Sequence, residues 1–352
     1  MGMIKLPKQS VDYFNKNSNE IFESGNLAEG PWNKKLSEYI CDISGAKNAI
    51  PNNSNGAGLV ALMRIYSYYF KRNKVLIQNN TMYGVKTMVP SGGCELLGYI
   101  NCQLETLMPS LEDVKKSLSS FSKIEKGSLI ILLSHIGGIN NPDIEEIALL
   151  CKSENIVLLE DCAHSFGATL NSRHSGLFGD AGVYSFYATK AIPGGEGGCI
   201  VTNNDEIGQM AADFSIYDRF NQKMDVGFNN RVSELQALLL YAVTKEWQHI
   251  VDNKKQIANS YIKTCEELGI PYISQEANNN IGNYYKFTLY NHDNPTSKFL
   301  PSLITKTSPV YDYALGSEHK ITTNHCCLPI WYGQEQEITQ RVISELYESF
   351  AK

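Results

Sequence analysis

Lys190 closes the run Tyr184-Ser185-Phe186-Tyr187-Ala188-Thr189-Lys190. Gly194-Gly195-Glu196-Gly197-Gly198 follows it, and Asp161-Cys162-Ala163-His164 precedes it by twenty-nine residues. A lysine amine attacks carbonyl groups only as the free base, a form favoured by burial beside other cations. A carboxylate such as Asp161 raises the proton affinity of a ring nitrogen within hydrogen-bond reach. Ser185 offers a hydroxyl to an anion, and the glycines let the backbone turn tightly behind the lysine. Acid, hydroxyl, lysine and glycine turn, in that order and each after a strand-like run, are what a chain needs to hold pyridoxal phosphate as an imine on Lys190.

Each residue also has a plainer reading. Asp161 could cap a helix. His164, which could point at the ring oxygen of the cofactor, could be structural, and Ser185 could be a loop hydroxyl. The order of the set is what favours a cofactor site. The phosphate needs further donors, and Pro51-Asn52-Asn53-Ser54-Asn55-Gly56-Ala57-Gly58 stands just before a helix-like segment, where free N–H groups bind anions. Gly56 and Ala57 are the expected donors, although a simple Ser/Asn cap would read the same way. Tyr83 is expected to lay its ring on the cofactor, with Met82 as the alternative.

The surrounding elements must bring these residues to one edge. Val75-Leu76-Ile77, Leu129-Ile130-Ile131-Leu132-Leu133 and Ile156-Val157-Leu158-Leu159 are continuously apolar, as strands buried on both faces are. Helix-like segments at Gly58 to Phe70, Ser110 to Ser119 and Ile144 to Ser153 alternate with them. The alternation predicts an α/β fold with a mainly parallel sheet between helices, and it puts Asp161 at the carboxyl end of a strand, where such sheets bind ligands. Ser233 to Val251 reads as one long helix that ends the large domain, expected over residues 1–240. Residues 241–352 form a smaller α+β unit with a strand at Tyr284 to Tyr290 and a closing helix from Glu335 to Phe350.

Composition narrows the partners. A formal charge of −6 with mixed signs lacks the concentrated basic surface that nucleic acid requires. No apolar run approaches the roughly 20 residues of a membrane span. Met1-Gly2-Met3-Ile4-Lys5-Leu6 begins no signal peptide, so the cytoplasm is the expected compartment. Nine scattered cysteines read as reduced and buried. Cys326-Cys327 after His325 lacks the two-residue spacing of zinc ligands, so no metal is expected.

With these residues assembled, the chain resembles the fold type I pyridoxal phosphate enzymes and, within them, the DegT/StrS-type nucleotide-sugar aminotransferases. Gly30-Pro31-Trp32, Ser54-Asn55-Gly56-Ala57, His135-Ile136-Gly137-Gly138 and Asp161-Cys162-Ala163-His164-Ser165-Phe166-Gly167-Ala168 are similar to family segments. So are Gly179 to Phe186 leading to Lys190, Gly227-Phe228-Asn229-Asn230-Arg231-Val232-Ser233-Glu234-Leu235-Gln236-Ala237, and Cys327-Leu328-Pro329. The chain departs at Ala57, where the family commonly has a hydroxyl, and at His164, where glutamine is frequent.

The resemblance implies a large domain like that of aspartate aminotransferase, and a homodimer in which Asn229 reaches the partner's cofactor phosphate. It implies glutamate as amino donor, pyridoxamine phosphate as the form between half-reactions, and a keto sugar on a nucleoside diphosphate as acceptor. Arg231 and His325 are candidate contacts to that acceptor. The preferred substrate is a 4-keto-6-deoxy sugar, giving a 4-amino-4,6-dideoxy sugar for surface polysaccharide or glycan synthesis. Amination at C3, or of a cyclitol ketone, is the alternative. The dehydratase branch of the same fold has histidine where Lys190 stands, and a regulatory protein without turnover would not need the lysine, acid and phosphate donors together.

Overall fold

The computed structural model describes residues 4–293 and 309–350. Seven strands form the central sheet: β1 (Asn48–Asn52), β2 (Lys74–Gln78), β3 (Glu95–Ile100), β4 (Leu129–Ser134), β5 (Val157–Cys162), β8 (Ala181–Ser185) and β9 (Gly198–Thr202), in the order β1-β9-β8-β5-β4-β2-β3. Two short strands, β6 (Thr169–Leu170) and β7 (Arg173–His174), lie between β5 and β8 in sequence and belong to a small separate sheet. Pairings among β3, β2, β4, β5 and β8 are parallel, and β9 runs antiparallel to both of its neighbours. The fold is therefore α/β with a mainly parallel sheet. Ile130 to Leu133 and Leu158 to Leu159 are essentially inaccessible. Each such side chain contributes about 1.5–3 kcal/mol of burial free energy, which makes the middle of the sheet a stiff platform.

Helices α1 (Lys8–Ser24), α2 (Pro31–Ser44), α3 (Asn55–Tyr69) and α4 (Tyr83–Ser91) follow the first turns of the chain. The start of α3 lies three residues before the sequence expectation, because Ser54 caps it by accepting from Ala57 N at 3.1 Å. The segment Leu111–Leu118 is bracketed by a Ser110–Asp113 capping box, and Ile144–Ser153 forms as its periodicity predicts.

The expected single helix from Ser233 to Val251 is instead two, Glu234–Thr244 and Trp247–Leu268. Thr244 Oγ1 bonds back to Leu240 O at 2.7 Å, and Lys245–Glu246 carries the turn. The core changes at this break. Ala237, Leu238, Leu240 and Val243 pack with Trp32 and Leu36, whereas Val251, Ala258 and Tyr261 pack with Phe287, Leu328, Val342 and Leu346.

In the C-terminal region, β10 (Glu276–Ala277) and β11 (Asn280–Ile281) join the small sheet, and β12 (Phe287–Tyr290) pairs antiparallel with β13 (His325–Leu328). The strand expected from Tyr284 starts only at Phe287, since Tyr284 has φ +54° and donates its N–H to the Gln275 side chain. The last helix spans Gln336–Phe350. No helix among the described residues is long and apolar enough to cross a membrane.

Candidate active site

β4, β5 and β8 end side by side, with Ser134 paired to Asp161 and Asp161 to Val183. Parallel register thus delivers Ser134, Asp161 and Ser185 to one carboxyl edge. Asp161 is buried and tethered on both oxygens. Oδ1 accepts from Asn55 Nδ2 at 3.0 Å and Ala163 N at 3.1 Å, and Oδ2 accepts from Ser134 Oγ at 3.1 Å. Ser134 Oγ lies 2.7 Å from Thr81 Oγ1, and Asn55 Nδ2 also donates to Val183 O at 2.8 Å. The carboxylate consequently has one orientation. Asn55, Ser134 and Thr81 were not singled out from sequence, where only the Ser/Asn run ahead of α3 hinted at the first of them.

The first turn of α3 closes one side. Gly56, second in the helix, has no carbonyl one turn back to receive its N–H. It lines the same cavity as Ser54, Asn55 and Ser185. The strand that brings β9 past this turn must be glycine at 198: a Cβ there would stand 2.5 Å from the Ser54 carbonyl carbon and 2.6 Å from Asn55 N. The backbone passes so closely that the cradle exists only because the side chain is missing.

Lys190 lies in the loop between β8 and β9, folded back by Phe186 N to Gly197 O, Ala188 N to Gly195 O and Gly194 N to Phe186 O. The φ of +140° at Gly197 is open only to glycine at low cost. Burial pulls the Lys190 amine down to about 8; the nearby Lys286 ammonium pushes the same way and Asp161 opposes it. At neutral pH a usable fraction of this amine is therefore unprotonated.

His164, Tyr285 and Lys286 form the facing wall. The His164 ring is 4.6 Å from the Tyr285 ring, over which Lys190 Nζ stands at 5.7 Å and Lys286 Nζ at 4.8 Å. Burial, aided by both lysines, holds His164 well below its ordinary value, so the imidazole is neutral; its Nδ1 accepts from Gly137 N at 3.4 Å. Behind the floor, Glu160 accepts from His135 Nε2 and from the N–H groups of Gly176, Phe178 and Gly179. His135, Glu160 and Cys162 are close enough to hold a metal, but these bonds give Glu160 and His135 structural work clamping the 176–179 turn.

One cavity of about 650 Å³ thus gathers Gly56, Asp161, His164, Ser185 and Lys190, and Met82 lines it too. The other expected residues do not line it. Ala57 spends its N–H on the Ser54 cap. Tyr83 turns outward, packing edge-on against Tyr313 at 5.1 Å, which leaves Met82 at the cavity. Arg231 pairs with Glu29 at 3.1 Å, a carboxylate shared with Arg219. His325 donates Nδ1–H to Ile321 O at 2.7 Å from strand β13. Asn229 is exposed, between Phe228 and Asn230. Tyr285 and Lys286, which the sequence marks only as part of a strand, occupy the wall.

This donor set fits pyridoxal phosphate. An acid with fixed orientation, a lysine biased toward the free amine, and a helix N-terminus with a neighbouring hydroxyl share one cavity, and the cradle at Gly198 would be filled by a single Cβ. Asp161 would take the ring nitrogen, Lys190 the aldehyde carbon, and Ser54, Gly56 and Ser185 the phosphate.

Comparison with known proteins gives the family and the fold. The model of the DegT/DnrJ/EryC1/StrS aminotransferase family matches residues 9–314. The chain is 31% identical over 212 residues to the GDP-perosamine synthase of Vibrio cholerae, a stretch covering 57% of this chain and 53% of that protein. It is 27% identical over 175 residues to the GDP-perosamine synthase of Escherichia coli O157:H7, covering 48% and 46%. The matched stretch therefore spans about half the length of these curated relatives. Among solved structures, PseC of Helicobacter pylori, described as an aminotransferase involved in the biosynthesis of pseudoaminic acid, superposes with a TM-score of 0.82 at 20% identity, covering 99% of this chain and 98% of that one. That likeness concerns the fold.

Proposed function

The chain belongs to the DegT/DnrJ/EryC1/StrS aminotransferase family, and from that premise we propose that it transfers an amino group from glutamate to the keto group of a nucleotide-linked sugar, with pyridoxal phosphate as cofactor. The observation that carries this reading is a lysine drawn down to about 8 in the same cavity as a triply tethered carboxylate and a helix N-terminus. When bound, the cofactor supplies an aldehyde for the amine and a ring that accepts electrons from the carbon losing its proton.

The protein does the rest. Asp161 holds a proton on the ring nitrogen by opposite charge. Lys190 Nζ anchors the cofactor between turnovers and, once released, takes and returns the proton at the reacting carbon. Neutral His164 lines the wall without adding a positive charge beside that amine. Tyr285, Tyr311 and Trp331 line the same cavity and give the amine an aromatic surrounding.

Similarity to two GDP-perosamine synthases supports a nucleotide-sugar acceptor. Our preferred acceptor is a 4-keto-6-deoxy sugar, giving a 4-amino-4,6-dideoxy product. We further propose a homodimer with shared sites. Phe220, Phe228 and Tyr217 expose 71%, 67% and 56% of their surface around Asn229, an apolar patch of the kind a second copy would cover. Asn229 would then serve the partner's phosphate.

Adding glutamate to cofactor-loaded protein should bleach the absorbance of the lysine-bound form and yield 2-oxoglutarate; an unchanged spectrum would overturn the reading. Mass measurement of products from a panel of keto sugars would separate C4 from C3 and from cyclitol substrates.

A further inference from the structure

We propose that Lys286 is the anion-recognition residue of the cavity and binds a carboxylate of the amino donor. The inference rests on the transamination reading for the donor's identity, but its geometry stands on its own. Three titratable groups of the cavity already have work. Asp161 accepts from three donors and keeps its remaining acceptor position for the cofactor ring, Lys190 is committed to the cofactor, and His164 is neutral. Lys286 is the remaining cation lining the cavity among the described residues. It is half-buried and makes no ion pair there; its ammonium leans on the Tyr285 ring at 4.8 Å. Its backbone is fixed, with its N–H donated to Gly137 O at 3.0 Å and its carbonyl accepting from Gln275 Nε2 at 3.4 Å. A partly desolvated ammonium without a counter-ion is unfavourable, and an anionic ligand offsets that cost. Burial lowers the Lys286 amine from its ordinary value, opposed by the nearby Cys327.

The cavity offers two sources of anion, an amino-acid carboxylate and the diphosphate of a nucleotide sugar. Position favours the carboxylate. Lys286 and Lys190 stand over the same aromatic ring, 4.8 and 5.7 Å from its centre. In an amino acid the carboxylate is one bond from the carbon that carries the exchanging amine. In a nucleotide sugar the diphosphate lies a whole sugar ring away from the reacting carbon. Lys254, nearly inaccessible and bonded to Ala191 O at 3.4 Å, sits too deep to share this task.

The test uses the cofactor-loaded enzyme and non-reactive probes. Glutarate is titrated by calorimetry, followed by GDP, UDP and dTDP, against wild type, K286M, K286Q and K286R. Loss of one charge-assisted contact should raise the glutarate dissociation constant about ten- to hundred-fold in K286M and K286Q. Nucleoside diphosphate binding should stay unchanged, and K286R should recover most of the loss. In turnover, the KM for glutamate should rise more than kcat falls. Unchanged glutarate binding in both neutral variants would overturn the proposal, as would a loss that falls on the nucleoside diphosphates instead. Because two neutral variants are used, failure of one to fold leaves the other to decide. If no amino acid alters the enzyme's spectrum while glutarate binding still depends on Lys286, the transamination reading falls and the carboxylate site stands.

Discussion

The floor and the rim of the cavity are built on opposite plans. On the floor, the acids and the hydroxyl beside them are held by others: Asp161 by Asn55, Ser134 and Ala163 N, Ser134 by Thr81, and Glu160 by four N–H groups. On the rim, Ile4, Met82 and Tyr187 are 49%, 42% and 45% exposed, and Lys286 stands without an ion pair among the described residues. A group that is the same in every turnover is best served by fixed donors, since preorganised dipoles need no rearrangement during reaction. Substrates that arrive and leave need a surface that is less committed. Damage to the floor should therefore appear in rate and cofactor retention, and damage to the rim in substrate affinity.

Replacing Lys190 by alanine tests the floor most severely. It should lower turnover by more than about 10⁴-fold and abolish borohydride trapping of the cofactor at that position. D161N keeps the shape and most hydrogen bonds but removes the charge, with an expected loss of about 10²–10³-fold in kcat. N55A keeps the charge and loosens it, with about a tenfold loss. If N55A matched D161N, orientation rather than charge would be the acid's contribution. Steady-state kinetics on the three variants decides between these outcomes.

The cradle gives the next largest effect. G198A inserts a methyl 2.5 Å from backbone carbon, which cannot rotate away as a side chain would. We expect a cost of about 2–3 kcal/mol in denaturant unfolding and much weaker cofactor retention. A variant with wild-type stability and cofactor content would show that β9 can move away from α3.

Lys254, buried outside the cavity lining, tests the interior through pH. Burial, reinforced by the Lys286 charge, pulls its amine from the ordinary 10.5 down to about 7. Between those values the unfolded chain binds a proton that the folded chain does not, so this group makes stability rise with pH across about 7 to 10.5, and its penalty is complete below 7. K254M should remove that slope and gain about 1–3 kcal/mol near pH 7. Unfolding midpoints of wild type and variant, measured in parallel from pH 7 to 10, check the difference; parallel curves would show that the amine is solvated.

What the sequence discloses follows the same division. The floor is legible because its signals are local. Continuous apolar runs mark β4 and β5, and the acid stands right after one of them. Lys190 and its glycines are read from their order along the chain. The break at Lys245–Glu246 is not legible, because apolar spacing continues through it; only the two different cores on either side, and the Thr244 back-bond, give it away. Lys286 is silent in sequence for a similar reason. Tyr284-Tyr285-Lys286-Phe287 reads as strand, and nothing local says that φ at Tyr284 turns the chain so that Lys286 reaches the cavity that holds Gly56, Asp161 and Lys190. Arg231, a candidate by resemblance, and Ala57, a donor expected at a helix start, are already occupied by Glu29 and Ser54.

The smallest expected effect separates two adjacent residues at the start of α4. Sequence leaves open which of Met82 and Tyr83 covers the cofactor. The structure puts Met82 at the cavity, with Tyr83 54% exposed and edge-on to Tyr313. Removing the tyrosine ring costs one aromatic pair and an exposed contact with Lys86, about 0.5–1.5 kcal/mol of stability, and Y83A should change cofactor affinity by less than about twofold. M82A removes apolar surface from the cavity and should weaken cofactor binding roughly three- to tenfold, the equivalent of losing about 1 kcal/mol of burial. Both affinities follow from fluorescence titration of the cofactor-free protein. Should Y83A weaken binding more than M82A, the first turn of α4 must shift by one residue when the cofactor enters, and this stretch of rim would behave as part of the floor.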